Sequence, residues 1–201
     1  MSATVDIRRA DTRPHTRIDW LDSRHSFSFG RHDDPANTHH GLLLVCNDDR
    51  VRAGTGFSTH PHQDMEIITW VLSGRLEHKD SEGNRGELYP GLAQRMSAGT
   101  GIWHSEMNPS GGLQPVASGK GHDSAISIRQ RDAVLWAGRL KPGERVAVPD
   151  GRRVHLFVAA GDVVLEGAGP LAEGDAARLE GADPGLTGGA GGAEVLIWVT
   201  D

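Results

Sequence analysis

With a single cysteine, Cys46, in 201 residues, the chain can form no internal disulfide, which fits a reducing compartment. Cys46 ends the apolar stretch Leu42-Leu43-Leu44-Val45, so a buried, unreactive thiol is expected. No apolar run approaches the roughly 20 residues that cross a bilayer as a helix, and no apolar leader opens the chain. Runs of lysine or arginine are also missing, and the formal charge of −6 with a pI near 6.0 argues against a phosphate backbone as ligand. These absences predict a soluble, cytoplasmic chain that binds neither nucleic acid nor membrane. Helical patterns are scarce, with at best a short turn over 170–179. Gly99-Thr100-Gly101 leads into a strand rather than a helix N-terminus, so no phosphate loop is read there, and no Ser/His/Asp set is apparent.

What the chain does have is 27 glycines, most of them between short apolar runs, the punctuation of a β-protein. Strands are expected over 41–47, 66–72, 74–78, 125–129, 134–139, 154–159, 162–166 and 194–200, and a sandwich or barrel follows. The glycine-rich segment 181–192 reads as a loop. A weak repeat joins the halves: the stretch from Ile67 through Gly74 to Glu77 has the texture of that from Val154 through Gly161 to Val164, an apolar strand, a glycine turn and a return strand. Aligning Gly74 with Gly161 puts Ala147 and Pro149 where His60 and His62 stand, and no histidine follows His155. The second half is therefore expected to lack a metal site.

Two short pairs carry chemistry: His60-Pro61-His62 and His104-Ser105-Glu106. Residues two apart on a strand share a face, so each extended pair is a two-toothed ligand. Facing pairs would set three imidazoles and one carboxylate around one ion, a donor set suited to iron, copper, nickel, manganese or zinc. A closed structural zinc site would use thiolates instead. Pro61 cannot donate to a ladder, which puts this stretch at an edge, a strand start or a bulge. Glycines frame both pairs, Gly54 and Gly74 around the first and Gly101 before the second.

The wording around these pairs, Thr59-His60-Pro61-His62-Gln63-Asp64-Met65-Glu66 and Gly99-Thr100-Gly101-Ile102-Trp103-His104-Ser105-Glu106, resembles the pirin family of the cupin superfamily. Ser23-Arg24-His25-Ser26-Phe27-Ser28-Phe29-Gly30 is similar to its bacterial branch, the pirin-like quercetin 2,3-dioxygenases; the match is close from Trp20 to Pro109 and loose thereafter. The resemblance implies an all-β bicupin of two small jelly-roll-type barrels, residues 1–112 with the metal and 113–201 without ligands. It implies the metal ligands His60, His62, His104 and Glu106, with Glu106 also catalytic. One divalent metal is implied, Fe(II) first, with Zn, Mn, Ni, Cu or Co as other candidates. Glu66, the ligand position of many other cupins, is expected to support the site rather than bind the ion. After Asn108-Pro109 the family continues with an apolar strand and a proline-rich connection, whereas this chain runs through Ser110-Gly111-Gly112 into its second half, short by roughly twenty to thirty residues. That shortened inter-barrel connection predicts a more open pocket, or an edge covered by a partner chain.

The remaining histidines read as bystanders. His39-His40 and His32-Asp33-Asp34 look like solvated loop, His25 lacks a second ligand at strand spacing, and His78 reads as surface. Trp103 is expected to pack in the core, while Ile68 and Met107 are candidates for the cavity wall. Two functional readings follow from the resemblance. One is an oxygenase acting with O2 on a flavonol-like aromatic, Glu106 taking the proton of the 3-hydroxyl. The other is a non-catalytic iron protein whose redox state governs a protein partner; a homo-oligomer is compatible with either.

Overall fold

The computed structural model describes residues 3–57, 62, 64–74, 76–79, 85–98, 112–120 and 126–201. Among them there is no α-helix, only a 3-10 turn at Ala10–Thr12 and sixteen strands. These are β1 (Thr4–Arg8), β2 (His15–Arg17), β3 (Leu21–His25), β4 (Asn47–Val51), β5 (Met65–Trp70), β6 (Leu76–Lys79), β7 (Arg85–Leu88) and β8 (Ala93–Ala98). The second half adds β9 (Gly112–Ser118), β10 (Ile126–Ser127), β11 (Ala133–Leu140), β12 (Arg145–Ala147), β13 (Arg153–Leu165), β14 (Gly169–Ala172), β15 (Ala176–Glu180) and β16 (Gly185–Thr200). The fold is all-β, as the glycine-punctuated apolar runs predict.

The largest sheet runs β1-β15-β13-β16-β11-β9-β10, with β12 on β16 and β14 on β13. Alternation along β13 sorts its two faces. Val154, Leu156 and Val158 enter the main core with Leu165, Leu171, Leu179, Leu186, Val195 and Ile197, all fully or nearly fully buried. His155 and Phe157 point the other way and are buried too. Over that second face lies the segment after β3, where the Phe27 ring sits 5.5 Å from the His155 ring. Arg178 Nη2 donates to Ser26 O at 2.9 Å and to Asn37 Oδ1 at 2.5 Å.

The start of the chain completes this sheet: β1 pairs antiparallel with β15, from Thr4↔Glu180 to Arg8↔Ala176. Asp175, 4% exposed, fastens the strand end. Its carboxylate accepts from Arg9 Nη1 at 2.6 Å, from the Ala10 amide at 2.7 Å and from the Ala172 amide at 3.1 Å. Removing it leaves three partly exposed donors without their acceptor, so Asp175→Ala is expected to cost about 1–3 kcal/mol in chemical denaturation. A loss under about 0.5 kcal/mol would show that this anchor is dispensable.

Four expectations are corrected. Residues 170–179 form β14 and β15, because each edge finds a partner in β13 or β1. The segment 181–192 is mostly strand: β16 begins at Gly185 and pairs with β12 and β13. Its glycines serve close approach, since Gly192 sits at φ +77° and a Cβ there would lie 2.7 Å from Leu140 O. Residues 154–166 are not a hairpin; β13 runs through Gly161 with a bulge on either side. Gly161 nonetheless shares the left-handed φ of its repeat counterpart, +74° against +76° at Gly74. Finally, 41–45 is turn and irregular chain around a His40↔Leu43 bridge, with Leu42, Leu44 and Val45 exposed.

In the N-terminal half, β2-β3-β4 form one sheet, and β5 with β8 and β6 with β7 form two pairs. The pair β5–β8 lies nearest in sequence to the candidate site, since β5 follows the first histidine pair.

Candidate functional site

Of the four ligands expected from sequence, only His62 lies within the described residues, where it is exposed. His60, His104 and Glu106 lie outside them, as do Trp103 and Met107. Among the described residues no group of three or more His, Cys, Asp and Glu is close enough to hold a metal.

The neighbouring strand pair is described in detail. Met65 to Trp70 pair with Ala98 to Ala93, placing Glu66 opposite Ser97 and Ile68 opposite Arg95. Glu66, Ile68 and Trp70 share one face by strand alternation, and all three meet the C-terminal half. Ser97 Oγ donates to Glu66 Oε2 at 2.6 Å, and the Arg129 amide donates to Glu66 Oε1 at 3.2 Å. Ile68 packs against Ala117, Ile128, Ala133 and Leu135. Trp70 Nε1 donates to Glu194 Oε1 at 2.6 Å, while Arg139 Nε holds Glu194 Oε2 at 2.9 Å. The buried Arg95 adds a bond from Nη1 to Ser127 O. Both Glu66 oxygens are engaged.

The other histidines divide sharply. His25 is 2% exposed, its Nδ1 lies 3.0 Å from Asn47 Oδ1 and its Nε2 2.9 Å from Thr16 Oγ1. An acceptor at Asn47 puts the proton on Nδ1, so Nε2 accepts from the Thr16 hydroxyl. That hydroxyl in turn accepts from His32 Nε2, 3.2 Å away. The Phe29 ring stacks on His25 at 4.9 Å. With both nitrogens committed, His25 is a structural knot joining β2, β3 and β4.

His40 corrects the solvated-loop reading, being buried, with its pKa lowered by desolvation and then by Arg178. His78 is half-buried rather than fully at the surface. His155, unremarked in sequence because one histidine in an apolar strand carries no pattern, is 1% exposed and neither ring nitrogen has a hydrogen-bond partner. Burial first, then Arg178, His40 and Arg13, push its pKa down to about 3. Cys46 is half-buried rather than buried, and desolvation of its thiol raises the pKa against the opposing pull of Arg13 and Ser26, which suits an unreactive thiol.

Comparison with known proteins places this arrangement. Residues 6–120 match the family model described as Pirin, and residues 115–198 match that of the quercetinase C-terminal cupin domain. A protein of Escherichia coli strain K12 named quercetin 2,3-dioxygenase is 54% identical over 196 positions, covering 81% of this chain and 84% of its own. A Mycobacterium tuberculosis relative, named for the same activity only provisionally, is 50% identical over 234 positions, covering 98% of this chain and 96% of its own. Since 98% of 201 residues is about 197, about 37 of those aligned positions have no residue here. The crystal structure of YhhW from Escherichia coli superposes with a TM-score of 0.89 at 30% identity, covering 98% of both chains. Bacterial pirin YhhW in complex with nickel(II) gives 0.85 at 32% identity, over 98% of this chain and 99% of that one. Among the described residues no helix is long and apolar enough to cross a membrane. The all-β two-part fold, the two family models that meet at residues 115–120 and the close relatives agree: this chain belongs to the pirin family.

Proposed function

We propose that the chain binds one divalent metal through His60, His62, His104 and Glu106, with iron(II) as the working ion, and acts as a quercetin 2,3-dioxygenase-like oxygenase. The donor set carries this reading: three imidazoles and one carboxylate leave coordination positions open on a borderline metal. Its support within the fold is that Glu66, the alternative carboxylate, has both oxygens taken by Ser97 and Arg129. The nickel(II) bound by YhhW, a relative 32% identical, is in keeping with it. The domain division 1–112 and 113–201 is retained in this proposal, the ligands all falling in the first part.

An ion held by His60, His62, His104 and Glu106 would supply Lewis acidity, under which a flavonol 3-hydroxyl loses its proton more easily. The three histidines hold the ion. Glu106 would take the 3-hydroxyl proton, and the apolar walls of the barrel would keep water from the substrate. The overall reaction would add both atoms of dioxygen to the flavonol and yield a depside and carbon monoxide.

The roughly 37 positions that this chain lacks relative to the mycobacterial protein favour a second reading: an iron protein whose redox state governs a protein partner, with the more open pocket unsuited to turnover. Headspace carbon monoxide above iron-loaded protein given quercetin in air separates the two. Production in step with quercetin loss is expected of the oxygenase. None from protein verified to hold iron would overturn it in favour of partner binding.

A further inference from the structure

Glu66 stands where the strand that follows the first histidine pair crosses to the C-terminal half. The residue is half-buried and its carboxylate is engaged on both sides: one oxygen is held by its cross-strand neighbour Ser97, the other by the main chain at Arg129, just after β10. Below it on the same face, Ile68 enters the cluster of Ala117, Ile128, Ala133 and Leu135, and Trp70 reaches Glu194 of β16. The face thus has three successive anchors, of which Glu66 is nearest in sequence to His60 and His62. Trp70 and Ile68 can hold the far part of β5 unaided. Among the described residues, Glu66 is the side chain at its near end that is tied to the C-terminal half.

We propose that Glu66 is a positioning residue for the metal-binding segment: by tying the start of β5 to Ser97 and to the Arg129 amide, it sets where the preceding histidine pair is presented. This rests on the metal centre proposed above. The carboxylate suits the task because it accepts from two donors at once. A glutamine has one acceptor oxygen, which would take the Arg129 amide, so its NH2 would meet a Ser97 hydroxyl that must turn its own proton elsewhere, and the charge that strengthens both bonds is lost. Placement errors of an ångström in a ligand-bearing segment weaken a metal site even when every ligand is present.

The test is titration with cobalt(II), followed by its visible absorption, of the whole chain as wild type, Glu66→Gln and Ser97→Ala. Far-ultraviolet circular dichroism and melting temperature are read beside it. Glu66→Gln is expected to keep the wild-type fold signature, weaken cobalt binding about tenfold or more and alter the position or intensity of the visible bands, which a purely structural role would leave alone. Ser97→Ala should shift both in the same direction by less, and serves alone if the glutamine variant does not fold. Wild-type affinity and spectrum in both variants would overturn the proposal while leaving the metal centre intact. Complete loss of binding in a folded Glu66→Gln protein would overturn it by making Glu66 a ligand. No cobalt binding by the wild type would remove the proposal together with the reading beneath it.

Discussion

Iron-loaded Glu106→Gln protein is expected to release carbon monoxide from quercetin at least about 100-fold more slowly than wild type at equal iron content, the lower end of what a positioned general base contributes. Glutamine keeps the size and one coordinating oxygen of the carboxylate but has no basic site for the 3-hydroxyl proton. The comparison must be made per bound iron, because a neutral donor also holds a cation less well. Raising the pH to ionise the flavonol in solution should recover part of the lost rate, since the substrate then arrives without its proton. A variant that matches the wild-type rate per iron would remove Glu106 from the proton transfer.

Acidification is expected to weaken the fold through His155. The folded state holds this imidazole neutral, with its pKa down to about 3, whereas an unfolded chain takes up the proton near pH 6.5. The unfolded state therefore binds more protons between those values, and stability rises with pH across that window. It is fully present above pH 6.5 and is lost as the pH falls toward 3, with a slope approaching 1.4 kcal/mol per pH unit and a total of up to about 5 kcal/mol. The groups that face the ring are all cationic or aromatic. Arg178 stands opposite it on β15, Arg13 and His40 come from the N-terminal half, and the Phe27 ring lies against it. No carboxylate among them offers the proton a partner.

His155→Leu should therefore flatten the decline in urea-derived stability between pH 6.5 and 3, the remaining slope being that of His40 and the carboxylates. At pH 7 it should be at least as stable as wild type, because the ring nitrogens make no hydrogen bond to lose. A variant with the wild-type pH slope would show that another group governs acid sensitivity.

Sequence reveals the elements whose cores are continuous and apolar. β11, β13 and the latter part of β16 are visible as runs of Val, Leu, Ile and Trp because both their faces are buried. β3 and β4 escape that signal, since their cross-strand pairs match charges, Asp22 opposite Arg50 and Arg24 opposite Asp48. β1 escapes it because its partner, β15, lies at the other end of the chain. The glycines of β16 mislead for a related reason: Gly192 answers to the Leu140 carbonyl, a contact that no local pattern contains. In the candidate site, ligand spacing is local and legible, whereas the engagement of Glu66 depends on Ser97 and Arg129, far along the chain. The isolation of His155 is likewise written only in what packs over it, the Phe27 ring and two guanidinium groups.

The central claim is a single metal ion held by His60, His62, His104 and Glu106, and metal content measures it most directly. After anaerobic loading with iron(II) and removal of excess, elemental mass spectrometry should find about one iron per wild-type chain. His62→Ala should fall to a small fraction of that, and a variant lacking both His60 and His104 should hold none. Wild type without iron, or His62→Ala with the wild-type ratio, would contradict the account.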